Sequence, residues 1–537
     1  MRGTGNEDAM TTDTAARTAD TTKVRRPHAW IWAALAGIVS AATLLAIAEL
    51  FAALVARSAS PVLAVGSFIV DIVPRPLKEL AITLFGETDK IALLVGVGLG
   101  AAVAAAVAGV LQYRFRPVGA VLLGIGGVLA TAAIITRTGA GALAWLPPVL
   151  GTIGGVVVLI LTIARLKRWV AAAEDRDVEG LRAGRRQFLL LTGLTAVGAV
   201  VVGVGSRILN ATTSSVAAAR DALRLPAPQT TVTVPEGANW EIDGLSPIIT
   251  PNGDFYRVDT ALTVPNVDPT TWRLQVDGMV DTPVDLSFDD LVNMGLNEYG
   301  VTLTCVSNEV GGNLVGNAIW TGVPIRDVLR MAGVQSDADM VLSESVDGYT
   351  ASTPLSALTD DNLDAIFAVA MNGEPLPFEH GFPVRMVVPG LYGYVSATKW
   401  VTKLTVTRFD KDEAYWTPRG YAAQAPIKLS SRVDTPKIGS PVAAGTVVIA
   451  GMAWAQPVGV QKVEVQIDNG DWQETQLSTP INDQSWVQWR LEWAAEAGSH
   501  YIAVRATDKQ GNLQIQEQAP IAPDGSSGWQ RTLVTVS

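Results

Sequence analysis

The chain has 537 residues, of which 48% are hydrophobic and only 17% charged, a balance too apolar for a single water-soluble domain. Its charge is divided: residues 1–207 carry a net +7 and residues 208–537 a net −18, so the acidic part offers no basic stripe and nucleic acid is excluded as a partner. One cysteine, Cys305, excludes an intrachain disulfide, and with three histidines, His28, His380 and His500, it excludes a His/Cys zinc cage while leaving carboxylate-bound metals open.

Residues 1–24 are polar and Thr-rich, and a disordered cytoplasmic tail is expected there. A transmembrane region is expected over 25–207. Five charge-free stretches, 27–48, 91–113, 117–136, 138–164 and 187–206, reach the roughly 20 residues that cross about 30 Å of hydrocarbon. Glycines inside them, Gly96, Gly98, Gly100, Gly124, Gly126 and Gly127, read as sites of close helix packing, because no basic residue or strand-turn-helix pattern suggests phosphate cradling. The apolar run 58–70 is too short to span and is broken by Asp71, Pro74 and Pro76, so it reads as a surface or re-entrant piece. Basic residues set the orientation, since short loops rich in Lys and Arg stay cytoplasmic. Arg25 and Arg26 precede the first span, Arg114 and Arg116 follow the second, and Arg165, Lys167, Arg168, Arg176, Arg182, Arg185 and Arg186 lie between the fourth and fifth. This predicts a multi-pass protein of the cell membrane, N-terminus cytoplasmic, with everything after 208 extracytoplasmic.

Gly184-Arg185-Arg186-Gln187-Phe188-Leu189 ahead of the fifth span is similar to a twin-arginine export motif, and it reads equally as an ordinary basic flank. Paired histidines for a membrane haem are lacking, since only His28 lies near a span, so no haem is expected. Glu49 is the main ionisable residue within the spans, which makes anchoring in the lipid bilayer their default role.

Residues 208–240, rich in Ala, Ser, Thr and Pro, read as a linker. From 241 to 424 the texture is α+β, with alternating strands such as Trp272–Val276 and Pro383–Val388 and helical pieces at 286–294 and 324–333. From 425 to 537, Thr446–Trp454, Val463–Ile467, Trp486–Leu491 and His500–Arg505 alternate with turn residues such as Asp468-Asn469-Gly470 and Asp508–Asn512, the pattern of an immunoglobulin-like β-sandwich. The fold class expected is thus multi-domain: an α-helical membrane bundle, an α+β domain and a β-sandwich.

Cys305 ends an apolar strand and enters the loop Val306-Ser307-Asn308-Glu309-Val310-Gly311-Gly312. A lone cysteine of this kind is either an inert buried residue or an exposed ligand at a strand end. The Cys305 segment, Trp320-Thr321-Gly322-Val323-Pro324, Asp347-Gly348-Tyr349, Met371-Asn372-Gly373-Glu374-Pro375-Leu376-Pro377, and His380-Gly381-Phe382-Pro383-Val384-Arg385 through Lys399-Trp400 together resemble the sulfite oxidase family of molybdopterin oxidoreductases, in order and spacing over about 250–410.

That resemblance implies a molybdenum cofactor with one Mo, bound as a thiolate by Cys305. It implies that His380, Arg385 and Lys399, with the backbone near Ala397 and Thr398, hold the pterin and its phosphate. It assigns Tyr256, Arg257 and Asp259 to a first cofactor-contacting block and Tyr349 to the side of the metal, as a hydrogen-bonding or proton-passing phenol. It makes 425–537 a dimerisation domain. Where the family carries arginines four and five residues after the ligand cysteine, this chain has Glu309 and Val310, and a carboxylate there is expected to repel sulfite. The family's haem-bearing domain has no counterpart, so electrons are expected to pass to a separate carrier or membrane redox partner. The leading expectation is a membrane-anchored extracytoplasmic oxidoreductase moving an oxygen atom to or from a small, sulfur-centred substrate. A sulfite oxidase proper and a non-catalytic receptor or scaffold on the same fold are the alternatives.

Overall fold

A computed structural model describes residues 28–55, 89–135, 143–175, 177–210, 213–261, 263–437 and 439–537. The tail 1–24, Arg25, Arg26, the 58–70 run and Arg176 lie outside the described residues. The chain divides into two compact units, one of helices up to Leu209 and one from Asn210 to Ser537.

The first unit holds α1 (Ala29–Val55), α2 (Asp89–Arg114), α3 (Val118–Ile135), α4 (Leu146–Glu174) and α5 (Val178–Asn210). All five are long and apolar enough to cross a membrane. Of the glycines marked for packing, only Gly127 serves that purpose, lying against Thr152 of α4; the Cβ positions of Gly96, Gly98, Gly100, Gly124 and Gly126 point into open space. The close approach is made elsewhere. A Cβ on Gly37 of α1 would strike the carbonyl of Ala105, and one on Gly109 of α2 the carbonyl of Ala33, so small residues four apart on each helix let the two backbones touch. The helix α5 begins nine residues before the apolar stretch, because the 178–186 segment has no proline and Asp177 caps it by accepting from the Gly180 N–H at 3.0 Å. Arg185 and Arg186 are therefore helical. Two residues on, Phe188 is fully buried with its ring 5.8 Å from each of Trp32 and Trp169.

In the second unit, the expected 208–240 linker is not a loose tether. Helix α6 (Thr213–Ala222) buries Val216, and Arg220 donates to the carbonyls of Leu376 and Pro375 at 2.8 and 2.7 Å. Further on, Gln229 N–H bonds Leu296 and Trp240 N–H bonds Gln488. Composition suggested flexibility, but these residues find partners far along the chain.

Two five-stranded sheets follow. One is mixed, in the order Val284–Ser287, Arg273–Gly278, Val401–Thr407, Met340–Ser345, Thr350–Pro354, with a parallel pairing of Arg273–Gly278 and Val401–Thr407. The other is antiparallel: Asn297–Thr304, Val315–Pro324, Ile366–Met371 and Glu374–Pro375, with Arg385–Val387 on the Ile366–Met371 strand. The helices Phe288–Val292 and Ile325–Ala332 fall inside the expected helical pieces, and the latter ends on Gly333 in the left-handed region. The C-terminal part is a sandwich of two four-stranded antiparallel sheets. Trp489, Val465 and Ile502 fill its core, and Asp468 and Asn469, both at positive φ, form the hairpin turn.

Candidate functional site

Cys305 follows the strand Asn297–Thr304, whose last five residues are all buried. The strand is braced from the sandwich. Thr302 N–H donates to the Gln484 carbonyl at 3.0 Å, its carbonyl accepts from Gln456 Nε2 at 2.8 Å, and its hydroxyl accepts from Trp486 N–H at 2.8 Å. Beyond the strand, Cys305 N–H bonds Leu314 and the Cys305 carbonyl accepts from Asn308, closing a tight turn. Cys305 is 8% exposed, and its sulfur accepts from Ser307 N–H at 3.4 Å. Burial pushes the thiol pKa up, against the hydrogen bonds from Ser307.

The thiol lines a cleft open to solvent. Around it stand Tyr256, Asp259, Tyr349, His380, Arg385, Ala397 and Lys399, so eight of the ten residues singled out in the sequence meet in one place. Arg257 and Thr398 do not line it. Arg257 is 37% exposed and pairs with Asp259 at 2.9 Å. Thr398 is fully buried, its hydroxyl 2.7 Å from that of Ser343 and its carbonyl accepting from Met386 N–H, so it fixes the strand behind Arg385.

Three nitrogen bases share this cleft. Arg385 donates to the carbonyls of Met386 and His380, and its guanidinium stands 5.0 Å from the Trp320 ring centroid. Burial lowers its pKa to about 10, and no carboxylate pairs with it among the described residues. Lys399 donates to Asp259 at 2.7 Å and to the Glu379 carbonyl at 2.9 Å; burial lowers it to about 8 despite Asp259. His380 donates from Nε2 to the Asn252 carbonyl at 3.1 Å, which leaves Nδ1 as an acceptor, and burial with Arg385 nearby lowers its pKa to about 4. Gly381, at φ +111°, lets these groups converge: a Cβ there would lie 2.9 Å from the Arg385 Cβ and 3.2 Å from the Lys399 Cβ.

Aromatic residues form a second wall. Tyr349, Tyr394, Trp416 and Tyr421 line the cleft, with ring centroids 5.5 Å apart for Tyr394 and Tyr421 and 5.2 Å for Trp416 and Tyr421. Tyr349 donates its hydroxyl to the Tyr394 carbonyl at 2.8 Å, and Tyr394 donates to Ala422 at 2.7 Å. Burial, with the neighbouring Cys305 next in size, raises the Tyr349 phenol, which therefore stays protonated at neutral pH.

Sequence reasoning placed Glu309 at the metal, and the structure corrects this. After the Cys305–Asn308 turn a second turn, closed by Gly312 N–H on the Glu309 carbonyl, carries the exposed Glu309 into a separate recess with Val310, Tyr392 and Ser431. Sequence reasoning also missed Ser345, Trp416 and Tyr421. Nothing near them forms a motif; Asp347, likewise in the cleft, was visible only as part of its turn.

Residues 261–416 match the family of the oxidoreductase molybdopterin binding domain. The chain is 33% identical over 340 residues to the mitochondrial sulfite oxidase of Homo sapiens, covering 54% of this chain and 62% of that protein. It is 29% identical over 318 residues to an NADH nitrate reductase of Spinacia oleracea, covering 47% of this chain and 34% of that protein. Among solved structures, the sulfane dehydrogenase SoxCD of Paracoccus pantotrophus aligns with a TM-score of 0.48 and 23% identity, over 53% of this chain and 81% of that one. The chain thus spans about three fifths of the human relative's length.

Proposed function

From a chain that belongs, through its 261–416 domain, to the sulfite oxidase family of molybdenum cofactor-dependent oxidoreductases, we propose a membrane-anchored enzyme that moves an oxygen atom to or from a small sulfur-centred substrate outside the cytoplasmic membrane. The observation that carries this reading is the convergence of the lone thiol with buried Arg385, Lys399 and His380 in one cleft.

The donor set fits a molybdopterin. A soft thiolate suits the metal, and a buried guanidinium without a carboxylate partner suits an anionic group of the pterin. Cys305 would hold the molybdenum, with its proton released on binding. Arg385 and Lys399 would hold anionic oxygens, and His380 Nδ1 would accept from a ring N–H. Tyr256, Arg257, Asp259, Ala397 and Thr398 would complete that binding region, Arg257 and Thr398 by positioning Asp259 and the strand of Arg385. When bound, the cofactor supplies a two-electron couple able to take up or give up an oxygen atom. Tyr349, protonated and beside the thiol, would offer its hydroxyl to the reacting oxygen by rotating away from the Tyr394 carbonyl.

The aromatic wall supports an uncharged organic sulfur compound over sulfite, since neither Arg385 nor Lys399 belongs to it. The names of the relatives favour the second reading, a sulfite oxidase proper, now that Glu309 lies outside the cleft. Electrons would pass to a separate carrier or membrane partner, and the 425–537 sandwich would mediate a homodimer. The basic flanks at Arg114 and Arg116 and from Arg165 to Arg168 support a cytoplasmic N-terminus. Molybdenum analysis of protein from a cofactor-competent host, followed by steady-state assay with sulfite and with an organic sulfoxide and artificial electron carriers, tests the proposal. About one molybdenum per chain and turnover of one substrate support it. Less than about a tenth of an equivalent favours a scaffold.

A further inference from the structure

We propose that Ser345 is a cofactor-positioning residue whose hydroxyl donates a hydrogen bond to an oxygen of the bound molybdopterin. The inference rests on the functional reading above. Ser345 ends the strand Met340–Ser345, is 3% exposed and lines the Cys305 cleft, yet its Oγ has no hydrogen-bond partner among the described residues. Its backbone is fully engaged. Its N–H donates to the Tyr349 carbonyl at 2.9 Å, and its carbonyl accepts from Gly348 at 2.9 Å, so the side chain is presented rigidly and only the hydroxyl is left over.

The neighbouring Ser343 shows what an ordinary structural serine does on this strand. Two residues back and therefore on the same face, it sits 2.7 Å from the Thr398 hydroxyl and reaches the Ala351 carbonyl at 3.3 Å. A buried hydroxyl without a partner costs stability, and a fold that closes Ser343 so completely leaves the buried Ser345 hydroxyl unpartnered at the cleft wall. The site lies at the Lys399 corner: Ser345 pairs with Val401 across the sheet, and Val346 N–H donates to the Trp400 carbonyl at 3.0 Å. Lysine draws an anionic or carbonyl oxygen to that corner. A serine hydroxyl supplies one uncharged O–H donor for such an oxygen.

The test compares Ser345→Ala and Ser343→Ala with the parent in full-length, detergent-solubilised protein, made both in a host that synthesises the molybdenum cofactor and in one that does not. For Ser345→Ala, the cofactor-free protein should melt no lower than the cofactor-free parent, because a partnerless buried hydroxyl has been removed. The loaded variant should release its cofactor about tenfold faster, or fail to retain molybdenum, and should lose part of the melting increment that loading confers. Ser343→Ala should lower loaded and cofactor-free forms alike. Equal shifts of both forms in Ser345→Ala, or an unchanged release rate, would overturn the assignment. Absence of molybdenum in the parent itself from the competent host would instead defeat the functional reading on which it stands.

Discussion

The charged and aromatic walls of the Cys305 cleft solve the problem of burial in opposite ways. Arg385, Lys399 and His380 are held largely by backbone carbonyls, and burial depresses the pKa of each. Tyr349 and Tyr394 have given their hydroxyl hydrogens to carbonyls of the protein, and their rings pack on Tyr415 and Tyr421 respectively. The first wall bears an electrostatic cost that an anion would relieve. The second has both of these hydroxyls engaged before any ligand arrives and offers shape and apolar contact, with Tyr349 the one group that can turn its hydroxyl inward. A cleft built this way separates holding a cofactor from choosing a substrate.

Five experiments probe that separation. Cys305→Ser, which replaces the thiol lining the same cleft as both walls, should lower turnover about a thousandfold or more in steady-state assay, about 4 kcal/mol in barrier. Arg385→Met should weaken cofactor retention about a hundredfold by equilibrium dialysis of molybdenum. The cofactor-free variant should melt no lower than the parent, since a buried charge without a counter-ion is removed. The pH dependence is next. Lys399 has a lowered pKa, about 8, in the protein without cofactor, and an anion bound beside it raises that value, so binding takes up a proton above pH 8. Affinity of the cofactor-free protein should then fall by up to about tenfold per pH unit above 8, and a flat profile to pH 10 would show that Lys399 faces no anion. The same rule applied to His380, whose pKa is lowered to about 4, has the cofactor-free protein gaining stability as pH rises from 4 to 6.5. The smallest effect belongs to the aromatic wall: Trp416→Ala should raise KM several-fold for an organic substrate, about 1 kcal/mol, with molybdenum content unchanged. Loss of molybdenum in that variant would mean that the two walls are not separate.

Much of this was legible in the sequence. Five apolar stretches gave five helices, and the alternating runs after 425 gave two sheets, because hydrophobic periodicity acts locally. The residues of the charged wall were found through short blocks whose order resembles a family. What escaped depends on the path of the chain. Glu309 sits four residues from Cys305, yet two successive turns send it elsewhere. Gly98 and Gly37 look alike in composition, but Gly37 meets a neighbouring backbone and Gly98 meets nothing. Ser345 and Trp416 reach the cleft only through sheet register and loop folding, which no local pattern encodes.

Gly381 acts as a spacer gauge. The missing thickness of one carbon atom there lets the stems of Arg385 and Lys399 start side by side, and a single added methyl would press on the Cβ atoms of both. The meeting of the two cationic side chains is therefore written into a position that carries no functional group of its own.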